Sequence, residues 1–136
     1  MTAGELTRAA RALLSGGPRR QAGARDHDPG GRGDATELAG MWPRAVALLG
    51  RQALEHGLDD LWSALAPRVR AASRNAQLLC LSAFVSDEEL VSGVRHAWHG
   101  LSRACHHQVY ELPPTAEELG RWLDAVDRLV AHDPMA

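Results

Sequence analysis

The sequence predicts an all-α protein, a single bundle of about four to five helices. Apolar residues recur at spacings of three and four along several segments, which is the period of a helix with one buried face. Capping residues precede these segments. The run LLCLSAFV would suit a buried strand but has no partner strand. At 136 residues, the chain is long enough for one domain with a substantial core.

The chain begins with a predicted short helix and a predicted disordered linker. Thr2 can cap a helix from Ala3 to Leu14 with a modest apolar face. The next stretch, SGGPRRQAGARDHDPGGRGD, is rich in Gly, Pro and charge and has no large apolar residue. It therefore cannot offset the entropy lost on ordering. We divide the chain into a helix over 1–14, a linker over 15–35 and a helical bundle over 36–136.

A long helix is predicted to open at Trp42-Pro43 and to run to about Ala66, since proline is well tolerated at the first helical position. Gly50 and Gly57 either weaken this helix or let another helix approach closely. Its broad apolar face comprises Val46, Leu49, Ala53, Leu54, Leu58, Leu61, Trp62 and Leu65.

Three further helices are predicted by their caps. Ser73 can cap a short buried helix that extends to Phe84. Ser86 with Glu89 three residues later reads as a capping box that opens the clearest helix of the chain. That helix should end near Tyr110, before Pro113-Pro114. A second capping box, Thr115 with Glu118, opens a last helix from Ala116 to about Ala131.

The clearest helix also carries most of the unusual chemistry, because four of the seven histidines lie between Ser86 and Thr115. Its apolar stripe comprises Val91, Val94, Trp98, Leu101, Cys105 and Val109. At 100° per residue a polar sector flanks that stripe, formed by Ser92, His96, His99, Arg103, His106 and Tyr110. His107 projects away from the stripe. Histidine titrates nearest neutral pH, and arginine is a permanent cation suited to binding a phosphate. The polar sector is therefore either a functional site or a solvent-exposed helix face.

Charge and cysteine usage narrow the class of protein. All 15 basic residues are arginine, which is typical of a GC-rich, bacterial genome. Residues 36–136 hold nine Arg against thirteen acids, which argues against a broad nonspecific nucleic-acid surface. Cys80 and Cys105 lie in apolar patterns and are expected to be buried free thiols of a reducing compartment. With no membrane-length apolar run, we expect a cytoplasmic protein without membrane contact.

A metal site is a second chemical interpretation of the histidines. His96 and His99 lie one turn apart and His106 follows two turns after His99, and Glu55 or Asp59 of another helix could add a carboxylate. No Cys/His pair has a finger-like spacing, however. We therefore expect neither a metal nor another cofactor.

Two segments of the chain resemble a known family. The first is the helix that ends in LSRACHHQVYELPPT, with Arg103, His106, His107 and Tyr110, and the second is the earlier segment GRQALEHGLDDLW. Together they resemble the HEPN superfamily (higher eukaryotes and prokaryotes nucleotide-binding domain). The resemblance extends from Trp42 to about Val130. It implies a small helical bundle that forms a homodimer, with two motifs in one cleft. In catalytic members, which are metal-independent ribonucleases, an Arg steadies the phosphate and a His transfers a proton.

The motif departs from that of the catalytic members. Arg103 is followed by the nonpolar Ala104, and only two or three residues separate it from His106 or His107, a shorter spacing than the family uses. We therefore expect a noncatalytic module that binds a partner protein or a nucleotide or RNA ligand. His96, His99 and Tyr110 are the candidate ligand-binding residues. The alternative is an endoribonuclease that uses Arg103 with His106 or His107.

Overall fold

The computed structural model describes the backbone of residues 1–24, 32–106 and 112–135, and the side chains of 1–16, 42–106 and 112–135. The described backbone contains helices and no strand, which confirms the all-α prediction. The helices are α1 (Ala3–Ala24), α2 (Arg32–Leu65), α3 (Pro67–Arg70), α4 (Arg74–Phe84), α5 (Glu88–Cys105) and α6 (Ala116–Ala131). The single turn α3 is the helix that the sequence did not predict.

The first two helices differ most from their predicted bounds. The backbone of 15–24 and 32–35, assigned from the sequence to a linker, is helical. The glycines and the proline that suggested a linker lower the helix propensity of these segments but do not exclude a helix. Residues 25–31 lie outside the described residues. The prediction that Trp42-Pro43 opens α2 is wrong, because Pro43 lies inside the helix. Its ring removes one backbone donor, which α2 tolerates at the cost of one intrahelical hydrogen bond.

The caps of the later helices were predicted with one error. Ser73 caps α4 by accepting from the amide of Ala76, and Thr115 with Glu118 forms the capping box of α6, both as predicted. The predicted box of Ser86 is wrong. Asp87 caps α5 instead, accepting from the amide of Leu90 at 3.1 Å. The helix dipole also favours a negatively charged carboxylate at the helix N-terminus, and the uncharged hydroxyl of a serine lacks this stabilisation.

The core lies between α2, α5 and α6, and α1 packs against α2 and α6. Gly50 and Gly57 allow the close approach that the sequence suggested. A Cβ at Gly50 would lie 3.1 Å from a methyl carbon of Leu101, and one at Gly57 would lie 3.1 Å from Leu129. The largest fully buried apolar side chains are Trp62, Leu54, Leu58, Leu81, Leu101, Leu119, Leu123, Val46, Val94 and Val126.

The end of α5 and the cysteines correct two further expectations. The helix ends at Cys105 rather than near Tyr110, because His106 leaves the helical conformation with φ −102° and ψ 35°. Cys105 is half-buried, and Cys80 is exposed on the outward side of α4, so the expectation that both thiols are buried is wrong for Cys80. Among the helices that the structure describes, none has the length and hydrophobicity needed to span a lipid bilayer.

Candidate functional site

An open groove of about 790 Å³ lies between α4 and α5, and we call it the α4–α5 groove. Val85 and Val91, each 4% exposed, form its apolar floor. Polar side chains from the end of α4, from the loop that follows it and from one face of α5 form its rim, namely Ser82, Ser86, Glu88, Ser92, Arg95, His96 and His99. A concave site with an apolar floor and a few polar groups is the usual form of a binding site.

Arg95 holds the two walls of the groove together. Its guanidinium donates to the carbonyl oxygen of Leu78 through Nε at 3.0 Å and through Nη2 at 2.9 Å. Nη2 also lies 3.5 Å from the carbonyl oxygen of Leu79 and from the hydroxyl of Ser82. The guanidinium therefore bridges α5 to α4 through Nε and Nη2. The sequence did not single out Arg95, because its partners lie on another helix.

His96 and His99 lie together on the rim, as the polar sector predicts. Both side chains are exposed on α5. Nδ1 of His96 lies 3.3 Å from the backbone carbonyl oxygen of Ser92, one turn earlier. That hydrogen bond holds the ring along its own helix, while Nε2 has no hydrogen bond within the described residues. Each histidine can both donate to and accept from a ligand in the groove.

The other predicted site residues do not line this groove. Arg103 lines a second cavity of about 250 Å³ between the end of α5 and the start of α6, which also includes Glu118 and Trp122. His106 is the C-cap of α5, and its backbone amide donates to the carbonyl oxygens of Arg103 and Ser102. His107 and Tyr110 lie outside the described residues. Among the described residues of the predicted polar sector, Ser92, His96 and His99 line the α4–α5 groove, Arg103 lines the second cavity, and His106 lines neither.

A half-buried polar cluster covers the other side of α5. Nε of Arg51 lies 3.3 Å from Oε1 of Glu55, and the guanidinium carbon lies 4.9 Å from the ring centroid of Trp98. Burial raises the pKa of the neighbouring Cys105 thiol, while Arg51 and Arg44 favour the thiolate and partly oppose that shift. Cys105 is therefore a poor nucleophile at neutral pH.

We expect a maleimide reagent to modify Cys80 at least about tenfold faster than Cys105 at neutral pH, because the thiolate is the reacting form and Cys105 is shielded. The pKa of Cys105, which is higher in the folded protein, also makes its contribution to the free energy of unfolding depend on pH. That contribution is fully present below the pKa of the unfolded thiol and is lost as the pH rises through the pKa of the folded thiol. Mass spectrometry of Cys80→Ser and Cys105→Ser variants measures each rate separately. Equal rates would show that Cys105 is open to solvent.

The described residues do not gather the ligands that a metal site needs. The two carboxylates that the sequence offered are used elsewhere, Asp59 by Arg74 at 2.9 Å and Glu55 by Arg51. Within the described ranges, no three His, Cys, Asp or Glu side chains are placed to hold a metal ion.

Comparison with protein-family models, with characterised proteins and with solved structures found no match. What these residues offer is an apolar floor, hydroxyl and imidazole groups on the rim, and one guanidinium that holds the walls.

Proposed function

We propose that the protein is a noncatalytic binding module whose α4–α5 groove binds a short segment of a partner protein. The observation that carries this proposal is the groove itself, with Val85 and Val91 on its floor and His96 and His99 on its rim. An apolar floor between two helices accepts the apolar side chains of a peptide, and the rim can hydrogen-bond to its backbone. The volume of the groove lies in the range of small-molecule and peptide-anchor sites.

Charge favours a protein ligand over RNA. RNA binding depends on cations that contact phosphates. Arg95 is the arginine that lines the groove, and its guanidinium already donates to α4. Glu88 places a carboxylate on the same rim, and residues 36–136 carry nine Arg against thirteen acids. The formal charges of Arg95 and Glu88 on the rim therefore cancel, and the bundle around them is acidic, so a polyanion gains little attraction here.

The resemblance to the HEPN superfamily adds two parts to the proposal. The first is homodimer formation. The second is the alternative function, a metal-independent ribonuclease that uses Arg103 with His106 or His107. We favour binding because the motif spacing is short and because Arg103 lines a cavity that also contains the carboxylate of Glu118. That carboxylate would oppose the approach of a phosphate.

A peptide library displayed on phage and selected on the full chain tests the groove. We expect selected peptides to bind at least about tenfold more weakly to Ser92→Trp, because the indole would occupy the groove. Gln52→Trp is the matched control, since Gln52 is also exposed but lies on α2 away from the groove. Fluorescence polarisation with labelled peptides gives the dissociation constants.

RNA provides the opposing outcomes. If single-stranded RNA binds more tightly than any selected peptide, the ligand of the groove is a nucleic acid and not a protein. Cleavage of RNA without divalent metal, lost in Arg103→Ala and His107→Ala, would establish the ribonuclease instead. Peptides that bind Ser92→Trp as well as the natural protein would show that the groove is not the binding site.

A further inference from the structure

Glu88 places a carboxylate at one end of the α4–α5 groove. It is the first residue of α5, and its side chain is exposed and lines the groove. Within the described residues it forms no salt bridge. The carboxylate of the next residue, Glu89, pairs with Arg128 of α6 at 3.1 Å and lines a separate groove between α5 and α6. Glu88 is therefore the carboxylate of these two that a ligand in the α4–α5 groove can contact.

The end of the groove at Glu88 is acidic. Asp87, the N-cap of α5, carries a second negative charge beside it and forms no salt bridge within the described part of the chain either. The helix dipole supplies about half a positive charge at this terminus, less than the two carboxylates carry. Arg95 lies about 10 Å farther along α5, at a rise of about 1.5 Å per residue, and its guanidinium donates to the carbonyl oxygen of Leu78. The charges of Glu88 and Arg95 therefore cancel in sum but stay separated along the rim.

The polar rim on α5 also sets the length of a bound segment. Four rim residues stand at positions i, i+4, i+7 and i+11 and so form one row along the helix, namely Glu88, Ser92, Arg95 and His99. The row is about 16 Å long, a distance that about five residues of an extended segment would span. Val85 and Val91 form the apolar floor near the Glu88 end of the row. A segment in the groove therefore meets a carboxylate and an apolar floor at one end and imidazoles at the other.

We propose that the segment bound in the α4–α5 groove carries an arginine or lysine next to an apolar residue, with the basic group at Glu88 and the apolar side chain on Val85 and Val91. The inference rests on the proposed function and names the chemistry of its partner. A cation at Glu88 forms an ion pair that the groove shields from water on one side, whereas a carboxylate there is repelled by Asp87 and Glu88. The excess of acids in residues 36–136 favours the approach of the same basic segment.

Glu89→Gln is the matched control for Glu88→Gln. Both carboxylates lie in the first turn of α5, where the helix dipole favours them alike, so both variants lose the same contribution to helix stability. Peptides selected from a random phage library on the full chain are expected to share an Arg or Lys next to an apolar residue. They should bind Glu88→Gln about fivefold more weakly than the natural protein, and Glu89→Gln within about twofold of it. Fluorescence polarisation gives the dissociation constants, and circular dichroism checks that both variants fold.

An exchange of charges tests the contact itself. Glu88→Lys should bind the basic peptides at least about tenfold more weakly, and peptides with Glu in place of the basic residue should recover most of that loss. Selected peptides without a shared basic residue, equal binding by Glu88→Gln, or no recovery in the exchange would overturn the inference. If Ser92→Trp still weakens those peptides, the proposed function is retained. Peptides that bind Ser92→Trp as well as the natural protein, or a library that yields none, overturn both.

Discussion

Gly100→Ala is expected to lower the free energy of unfolding by about 2 kcal/mol. A Cβ at this position would lie 2.3 Å from Cε2 and Cζ2 of Trp122 and 2.8 Å from Cη2. The rigid indole must move or α5 and α6 must separate, which costs about 1–3 kcal/mol for overpacking and outweighs the gain in helix propensity. Urea unfolding followed by circular dichroism measures the change. Trp122 also lines the second cavity, so the same variant should alter the surroundings of Arg103.

Gly93→Ala is the matched control for this contact. Gly93 lies two turns earlier on α5 and also faces α6, but its added Cβ would lie 3.4 Å from Cβ of Ala125, an ordinary contact. Here the helix propensity of alanine should dominate, and the free energy of unfolding should rise by up to about 1 kcal/mol. If the two variants shift stability in the same direction, the close approach at Gly100 is not what decides the outcome.

The sequence predicted correctly those features that depend on interactions between residues close together in the chain. The caps at Ser73 and Thr115 act within four residues of the chain, so they are readable without a tertiary structure. The apolar stripe of α5 was also readable, and Val91, Val94, Trp98 and Leu101 are buried as expected. Where two acceptors compete one residue apart, as Ser86 and Asp87 do, the pattern predicted the wrong one.

The candidate site was only half predictable, because a groove needs two walls. Helical periodicity placed His96 and His99 on one face of α5, and the structure keeps them together. The same periodicity placed Arg103 in that sector, but the approach of α6 gives it a different cavity. Arg95 was missed because its role depends on the carbonyl of Leu78, seventeen residues earlier in the chain. No spacing rule within one helix reports such a contact.

The position of α4 also depends on a buried polar side chain. Gln77 is 1% exposed, and its Nε2 donates to the carbonyl oxygens of Arg70 at 3.1 Å and Ala72 at 3.0 Å. Its Oε1 accepts from Nη1 of Arg74 at 2.8 Å, and the same nitrogen donates to Asp59 of α2 at 2.9 Å. The side-chain amide of Gln77 thus forms hydrogen bonds with two carbonyl oxygens of the turn between α3 and α4. Through Arg74 it also links α4 to α2.

We therefore expect Gln77→Leu to lower the free energy of unfolding by about 2 kcal/mol, because a side chain of similar volume leaves the carbonyl oxygens of Arg70 and Ala72 without their donor, while Arg74 keeps its contact with Asp59. Asn75→Leu, at an exposed position of the same helix, should change it by less than about 0.5 kcal/mol. Urea unfolding of both variants gives the difference. Because α4 forms one wall of the groove, Gln77→Leu should also weaken the selected peptides under conditions where the chain stays folded. A Gln77→Leu chain as stable as Asn75→Leu would mean that the packing of Leu78 and Leu81, together with the hydrogen bonds from Arg95, is enough to position α4.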